Sequence, residues 1–196
     1  MPIYIIEHLE PRLWKWCIIE YKHISEIVGK GNLWFTNIKR ESKASKELEK
    51  YGRVIKQSVS ELNLKNSCVL DPESNQTLSP EEAANFDYFI FGGILGDYPP
   101  KKRTSIELTS KLKNAETRNI GKEQMSTDNA VFVVKEISNG KALSDLKFQD
   151  TIEIKINDIE STSLPYRYAL VNGKPLISKE LITFLKNTSK PLKIER

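Results

Sequence analysis

FDYFIFGGILGDYPP, residues 86–100, runs out of an apolar segment straight into a glycine loop. Residues 87–91 are dominated by aromatic and β-branched side chains and read as a buried strand. Gly92, Gly93 and Gly96 follow within five residues, then Asp97 and two prolines. The whole chain has only 9 Gly and 9 Pro in 196 residues, so this clustering needs a local cause. Without Cβ atoms, backbone amides and carbonyls can press against a ligand. A tight strand-to-helix turn would use the same residues, and the glycines alone do not separate the two readings. The G-x-G-x-x-G fingerprint is absent and the loop comes late in the chain, which disfavours a dinucleotide site.

Working outward, IYIIEH (3–8) is a short apolar run that predicts a first strand. Trp14, Cys17, Ile18, Tyr21, Ile24 and Val28 then fall at helical spacing, with Pro11 able to start a helix and Gly29 and Gly31 able to stop it. That aromatic stripe reads as core. NLWFTNI (32–38) predicts a second strand, residues 40–65 a charged helical stretch, and SCVLDP (67–72) a third strand. SPEEAANF has the form of a short capped helix, with Ser79 as the cap and Pro80 in its first turn. The fourth strand enters the glycine loop. KKRTSIELTSKLKN predicts an exposed helix, and ETRNI a fifth strand. A helix begins near Ser126–Asp128, with Ala130, Val131, Val134 and Ile137 as its buried stripe. Strand and helix therefore alternate, the pattern of a mostly parallel sheet with helices on both faces. After residue 140 the pattern changes. TIEIKI (151–156) alternates, YRYALVNGKPLI (166–177) is a hairpin turning at Asn172-Gly173, and SKELITFLKN is a closing helix. The expected division is a core over 1–140 and a β-rich extension over 141–196.

Composition narrows the function. With 39% hydrophobic residues and a mean hydropathy of -0.44, the chain can bury a sizeable core. No apolar run approaches the roughly 18–20 residues of a membrane span. Glu7 and Glu10 interrupt the start, which lacks a basic leader, so a cytoplasmic location is the default expectation. Cys17 and Cys68 are the only cysteines and sit in apolar contexts, as buried free thiols do. His8 and His23 show no ligand spacing, so no metal site is expected. Neither G-x-S-x-G nor a Walker loop occurs, which disfavours hydrolytic serine chemistry and P-loop phosphoryl transfer. The net charge of +4 lies wholly in residues 1–66, which carry 12 Lys+Arg and 8 Asp+Glu; the remainder carries 18 of each. This excess is far from the dense basic stripe of a dedicated nucleic-acid binder.

Several blocks, in order, resemble one family. They are YIIEH (4–8), VLDP (69–72), FDYFIFGGILGDYPPKKRT (86–104), IGKEQMSTDNA (120–130) and LPYRY (164–168). They resemble the SPOUT-class S-adenosylmethionine-dependent methyltransferases that include the yeast protein arginine methyltransferase acting on a small-subunit ribosomal protein. The likeness covers about residues 3–178, and residues 39–66 show little that matches. It implies an α/β fold whose C-terminal half is threaded into a deep trefoil knot. Three knot loops then clasp the cofactor: 70–72, 92–97 and 119–127. The implied cofactor contacts are Leu70, Asp71, Pro72, Phe91, Gly92, Gly93, Ile94, Gly96, Asn119, Ile120, Gly121, Gln124, Met125, Ser126 and Thr127. S-adenosyl-L-homocysteine is the implied product, and a monomer or weak homodimer the implied state.

Arginine is a poor nucleophile while charged, and its pKa exceeds about 12. A carboxylate that orients the guanidinium and accepts its proton would help. Asp97 and Asp128 are the candidates, with Glu7, at the end of the first strand, a third. Each also reads as an ordinary turn or cap acid, Asp128 above all. Asp145, Asp150, Glu153, Asp158 and Glu160 outnumber Lys147 and Lys155 over 145–160, a face suited to a basic ribosomal protein or simply to solvent. An RNA methyltransferase of the same fold is the second expectation, with KKR at 101–103 beside the site. A non-catalytic ribosome-associated module is the third.

Overall fold

The computed structural model describes residues 1–188 except Arg40, Tyr98 and Asp158, so the Asp158 named above lies outside the described residues. Six parallel strands form the main sheet, in the order β3-β2-β1-β5-β4-β6. They are β1 Ile3–His8, β2 Leu33–Thr36, β3 Arg53–Val54, β4 Ser67–Leu70, β5 Tyr88–Gly93 and β6 Glu116–Arg118. The central pair, β1 and β5, is in register over its full length, from Ile3 opposite Tyr88 to His8 opposite Gly93.

Strand alternation sorts the core. Tyr4, Ile6, Phe89 and Phe91 point to one face, where they meet Tyr21 and Ile24 of α1 (Lys15–Val28) and Val134 and Ile137 of α5 (Thr127–Ser138). Leu48 of α2 (Lys43–Leu48) and Ala83 of α3 (Pro80–Ala83) join the same cluster. Ile5, Val69 and Ile90 point the other way, to Val59 and Leu108. That second face is covered by 3-10 turns at Val59–Glu61 and Thr109–Lys111 and by the short helix α4, Arg103–Glu107. Each fully buried Ile or Phe contributes about 1.5–3 kcal/mol. Most regular helix therefore lies on one face, and two predicted helices are shorter than expected.

Residues 40–65 are not one helical stretch. After α2 the chain returns to the sheet edge at Gly52, where an added Cβ would stand 2.6 Å from the Leu33 carbonyl oxygen. Arg53 and Val54 then pair with Trp34 and Phe35 as an unforeseen edge strand. Around 101–114, regular α-helix ends at Glu107 because Leu108 turns inward to the core. The short capped helix appears as read: the Ser79 hydroxyl accepts from the Glu82 N–H, and the Glu82 carboxylate accepts from the Ser79 N–H.

The second sheet is antiparallel, in the order β7-β8-β9: Phe148–Lys155, Ser161–Val171 and Lys174–Pro175. Asn172 and Gly173 both have positive φ at its turn, as Asn-Gly hairpins require. The main pairing partner of β8 is β7, so the Asn-Gly hairpin forms only the far edge. Helix α6 (Lys179–Thr188) and β8 pack on α1 through Leu181, Leu164 and Ile19. Asn129 fastens α5 to the second sheet. Its Oδ1 accepts from the Ala169 N–H at 2.9 Å, and its Nδ2 donates to the Leu176 carbonyl at 3.0 Å.

Beyond β6 the chain runs between two earlier segments. Asp71 N–H donates to the Arg118 carbonyl at 2.9 Å. One residue later Asn119 N–H donates to the Gln76 carbonyl at 2.7 Å, and Leu78 N–H donates to the Asn119 carbonyl at 2.9 Å.

Candidate active site

The carboxyl ends of β4, β5 and β6 converge on one cavity of about 160 Å³. Parallel sheets place ligand sites at such ends because the loops there carry free backbone groups. Leu70, Asp71 and Pro72 enter from β4; Phe91, Gly92, Ile94 and Gly96 from β5; Ile120, Gly121, Gln124, Met125 and Thr127 from beyond β6. Apolar side chains give one wall, and Asp97, Glu73 and the 101–104 segment give a polar rim. A Cβ on Gly92 would lie 3.0 Å from Ile94 Cδ1 and 3.5 Å from Thr104 Oγ1. Gly121 holds φ at +105°, a conformation side chains resist.

Three of the expected cofactor residues do not reach this cavity. Gly93 lies on the opposite face of β5 from Gly92, and its position for a Cβ is filled by the Tyr21 hydroxyl, 2.3 Å away. Asn119 braces the loops instead: Oδ1 accepts from Thr77 Oγ1 and from Gly121 N–H, each at 3.1 Å, while Nδ2 donates to the Ser74 carbonyl. Ser126 faces a neighbouring cavity and donates to Asp128 Oδ1 at 2.6 Å.

The three candidate acids separate. Asp97 stands at the cavity rim and pairs with Lys101 at 3.0 Å. Asp128 is 2% exposed in the first turn of α5 and does not line the cavity. Its Oδ2 bonds His23 Nδ1 at 2.7 Å, and its Oδ1 accepts from Asn129 N–H at 2.9 Å. Burial lowers the His23 pKa, but the bond to Asp128 and its charge outweigh that and leave it raised. Glu7 shares a sheet face with Gly92, its partner in register, but does not line the cavity. Its carboxylate accepts from Thr36 Oγ1, from Ser58 Oγ at 2.7 Å and from Val59 N–H at 3.0 Å, so it anchors the 58–61 turn.

Unforeseen residues brace the glycine loop. Glu10 Oε1 accepts from the Leu95 N–H at 2.9 Å and from Arg103 Nη1 at 2.7 Å. Lys102 pairs with Glu73, and Arg103 also with Glu107. A second cavity, about 220 Å³, adjoins the first and shares Ile94, Gly96 and Met125 with it. Trp16, Glu20, Leu95, Ser126 and Tyr166 complete its lining. Glu20 is 6% exposed, and burial, with the nearby Asp128 charge, pushes its pKa up to about 8. The Tyr166 hydroxyl donates to the Gly96 carbonyl at 2.9 Å and ties the second sheet to the glycine loop. The expected free thiols are present: Cys17 and Cys68 are buried, and burial pushes both up to about 12. Among the described residues no group of three or more His, Cys, Asp or Glu could hold a metal ion, and no helix is long and apolar enough to cross a membrane.

This arrangement matches known proteins over nearly its whole length. Residues 3–191 fit the model of the family described as protein arginine N-methyltransferase SFM1-like. The chain belongs to the SFM1-like protein arginine N-methyltransferase family. It is 36% identical to protein arginine N-methyltransferase SFM1 of Saccharomyces cerevisiae over 202 residues, 95% of each chain. The crystal structure of yeast SFM1 complexed with S-adenosylmethionine superposes with a TM-score of 0.86 at 35% identity, covering 96% of this chain and 91% of that one. The same enzyme complexed with S-adenosylhomocysteine gives 0.85, covering 93% and 94%. Trm10 from Thermococcus kodakaraensis shares the fold at a TM-score of 0.57 and 19% identity, covering 74% and 96%. The SFM1-like family is thus the one whose blocks stand out in the sequence, and the mostly parallel sheet is its fold.

Proposed function

We propose that this SFM1-like chain transfers a methyl group from S-adenosylmethionine to an arginine of a small-subunit ribosomal protein. The observation that carries the reading is the cavity at the ends of β4, β5 and β6. It is lined by twelve of the fifteen residues expected to hold the cofactor, in a chain 35% identical to an enzyme crystallised with that cofactor. The fit is physical as well. Leu70, Phe91, Ile120 and Met125 offer an apolar wall for a purine, while Gly92 leaves room that a side chain would fill. When bound, the cofactor supplies an electrophilic sulfonium methyl. The chain's own residues must exclude water, hold the acceptor nitrogen in line and take one proton. Asp97 remains a candidate for orienting the acceptor because it stands at the rim.

The deep knot belongs to this proposal too. Asn119 bonded to Gln76 and Leu78, directly after Arg118 is bonded to Asp71, is the pattern expected where a strand passes through the 71–78 loop. The reading also takes residues 141–196 as an extension on a 1–140 core, and an enzyme working as a monomer or weak homodimer in the cytoplasm. An RNA substrate draws less support. Lys101, Lys102 and Arg103 each stand beside a carboxylate, Asp97, Glu73, Glu10 or Glu107, which lowers the net positive charge at this edge of the site. The acidic 145–160 strip is partly neutralised as well, because Arg167 pairs with Asp150.

The test is to incubate the protein with methyl-labelled cofactor and small ribosomal subunits, then separate protein from RNA. Label in arginine of one ribosomal protein is expected. Label confined to RNA would overturn the substrate assignment.

A further inference from the structure

The chain's net charge is gathered at one edge of the main sheet. Residues 39–56 hold seven Lys+Arg and three Glu, and the other 178 residues hold 23 of each, so this segment carries the whole excess of +4. The fold makes the segment one lobe. Asn37 N–H donates to the Gln57 carbonyl at 2.8 Å and Ile38 N–H to the Ile55 carbonyl at 3.2 Å, which brings its two ends together. Between them α2 buries Ser45 and Leu48. Lys43 and Lys46, with Lys50 in the turn that follows, are spaced to share the opposite, exposed side. Arg53 comes next on β3, the last strand at this end of the sheet, with its guanidinium 4.8 Å from the centre of the Trp34 ring. Among the described residues of the lobe only Lys56 forms an ion pair, with Glu41 at 3.1 Å. Lys39, Lys43, Lys46, Lys50 and Arg53 are exposed and keep their charge, unlike the cations at 101–103. What the lobe lacks sets the class of ligand. The large apolar side chains exposed among the described residues are Met1, Trp14, Ile106, Ile159 and Val171, none of them in the lobe. A protein partner or a membrane surface takes an apolar or aromatic anchor. A nucleic-acid backbone needs only spaced cations on a polar surface.

We propose that the 39–56 lobe docks the phosphodiester backbone of ribosomal RNA near the methyl acceptor, without reading its sequence. β3 stands three strand spacings from β5, about 15 Å at about 4.8 Å each. One ribonucleoprotein particle can therefore reach the lobe and the cofactor cavity together. The inference goes beyond the arginine reading, because the RNA is held and not methylated. It rests on that reading only for the choice of particle.

The test follows the fluorescence anisotropy of a labelled single-stranded RNA of about 20 nucleotides as protein is added between about 50 and about 200 mM salt. The logarithm of the binding constant should fall against that of salt with a slope of about −2 to −3.5, from roughly three to five phosphates at about −0.7 each. The triple variant Lys43→Gln, Lys46→Gln, Lys50→Gln should bind about tenfold more weakly at low salt, with the slope flattened by about 2. The control Lys174→Gln, Lys179→Gln, Lys186→Gln removes the same charge from exposed lysines of β9 and α6 and should change neither. No binding by the wild type at about 100 µM protein and about 50 mM salt overturns the lobe. Equal weakening by both variants, the mark of net charge alone, does so too, as does equal binding of phosphatidylserine vesicles. If the first variant fails to fold, lysine acetylation of the wild type decides. RNA should protect Lys43, Lys46 and Lys50 and leave Lys174, Lys179 and Lys186 reactive; uniform reactivity overturns the proposal. Methylation separates this inference from the arginine reading. On small subunits the Lys43, Lys46, Lys50 variant should raise KM about fivefold or more with kcat unchanged. Label in arginine with an unchanged KM removes the lobe alone. Label found only in RNA removes the arginine reading, and the binding and footprint results still decide the lobe.

Discussion

The two adjoining cavities are built by different means. The first, at the ends of β4, β5 and β6, sets an apolar and glycine wall from three loops against a polar rim at Asp97 and 101–104. The second cavity beside it shares Ile94, Gly96 and Met125 with the first and adds side chains from α1, from the residue before α5 and from β8. The first depends on space and the second on buried charge. Damage to the two should therefore look different: crowding should cost ligand affinity on one side, and lost partners should cost stability on the other.

The largest expected effect lies at the start of α5. Asp128 and His23 form a pair whose side chains are 4% and 12% exposed. Removing one partner of a buried pair costs about 3–5 kcal/mol. Asp128→Ala should lower Tm by roughly 6–20 °C in a chain of this size, read by thermal denaturation. A drop under about 2 °C would show that the pair carries no structural weight and return Asp128 to the catalytic candidates.

Adjacent glycines sharpen the contrast. In Gly93→Ala the new methyl meets the Tyr21 hydroxyl and Ile6 Cγ2, at 2.3 and 2.9 Å. Overpacking of this kind costs about 1–3 kcal/mol, so Tm should fall by about 2–12 °C with cofactor affinity near wild type. In Gly92→Ala the methyl points toward Ile94 and the cavity. Calorimetry should show about tenfold weaker cofactor binding, about 1.4 kcal/mol, with Tm little changed. Equal effects from both variants would erase the distinction between the two faces of β5.

How much of this was readable follows the same divide. The glycine loop, the capped helix at Ser79–Glu82 and the central strands are written in contiguous residues, where periodicity and turn chemistry act locally. The loops of the first cavity were legible for that reason. Glu20 was not, because nothing in WKWCIIEYKH distinguishes a buried glutamate from a solvated one. Only the return of β8, which brings Tyr166 more than a hundred residues later, encloses it. A glycine pair does not reveal which member faces which side, and here Gly92 lines the cavity while Gly93 faces Tyr21. Residues 40–65 misled for a related reason. Their charge suggested a helix, while Gly52 and Val54 served a sheet edge that sequence spacing does not announce.

Acidity offers a milder test. Glu20 is faced by Trp16, Cys17 and Tyr21 from its own helix, by Asp128 from α5, and by Tyr166 and Tyr168 from β8. Its pKa rises to about 8, so the folded chain retains a proton that the unfolded chain has lost above about 4.5. The resulting stability is complete below the unfolded value and is lost as pH climbs to about 8. His23, also raised, loses stability in the same direction above about 6.5. His8, lowered by burial, acts with the opposite sign below that pH. Thermal midpoints should therefore fall by a few degrees between about pH 6.5 and about pH 8, and less steeply in Glu20→Gln. Parallel profiles for the two proteins would mean that Glu20 does not titrate there.

The smallest effect isolates burial from distance. Lys22 Nζ reaches Glu180 Oε2 at 2.7 Å, the same separation as His23 to Asp128. Both pairs involve α1, one residue apart. The Lys22 and Glu180 side chains, however, are 37% and 38% exposed, and water screens them. Lys22→Ala should cost only about 0–1 kcal/mol, a shift of at most about 4 °C in Tm. If Lys22→Ala proved as damaging as Asp128→Ala, hydrogen-bond length alone would govern both pairs. The contrast between a buried pair and a screened one would then lose its physical ground.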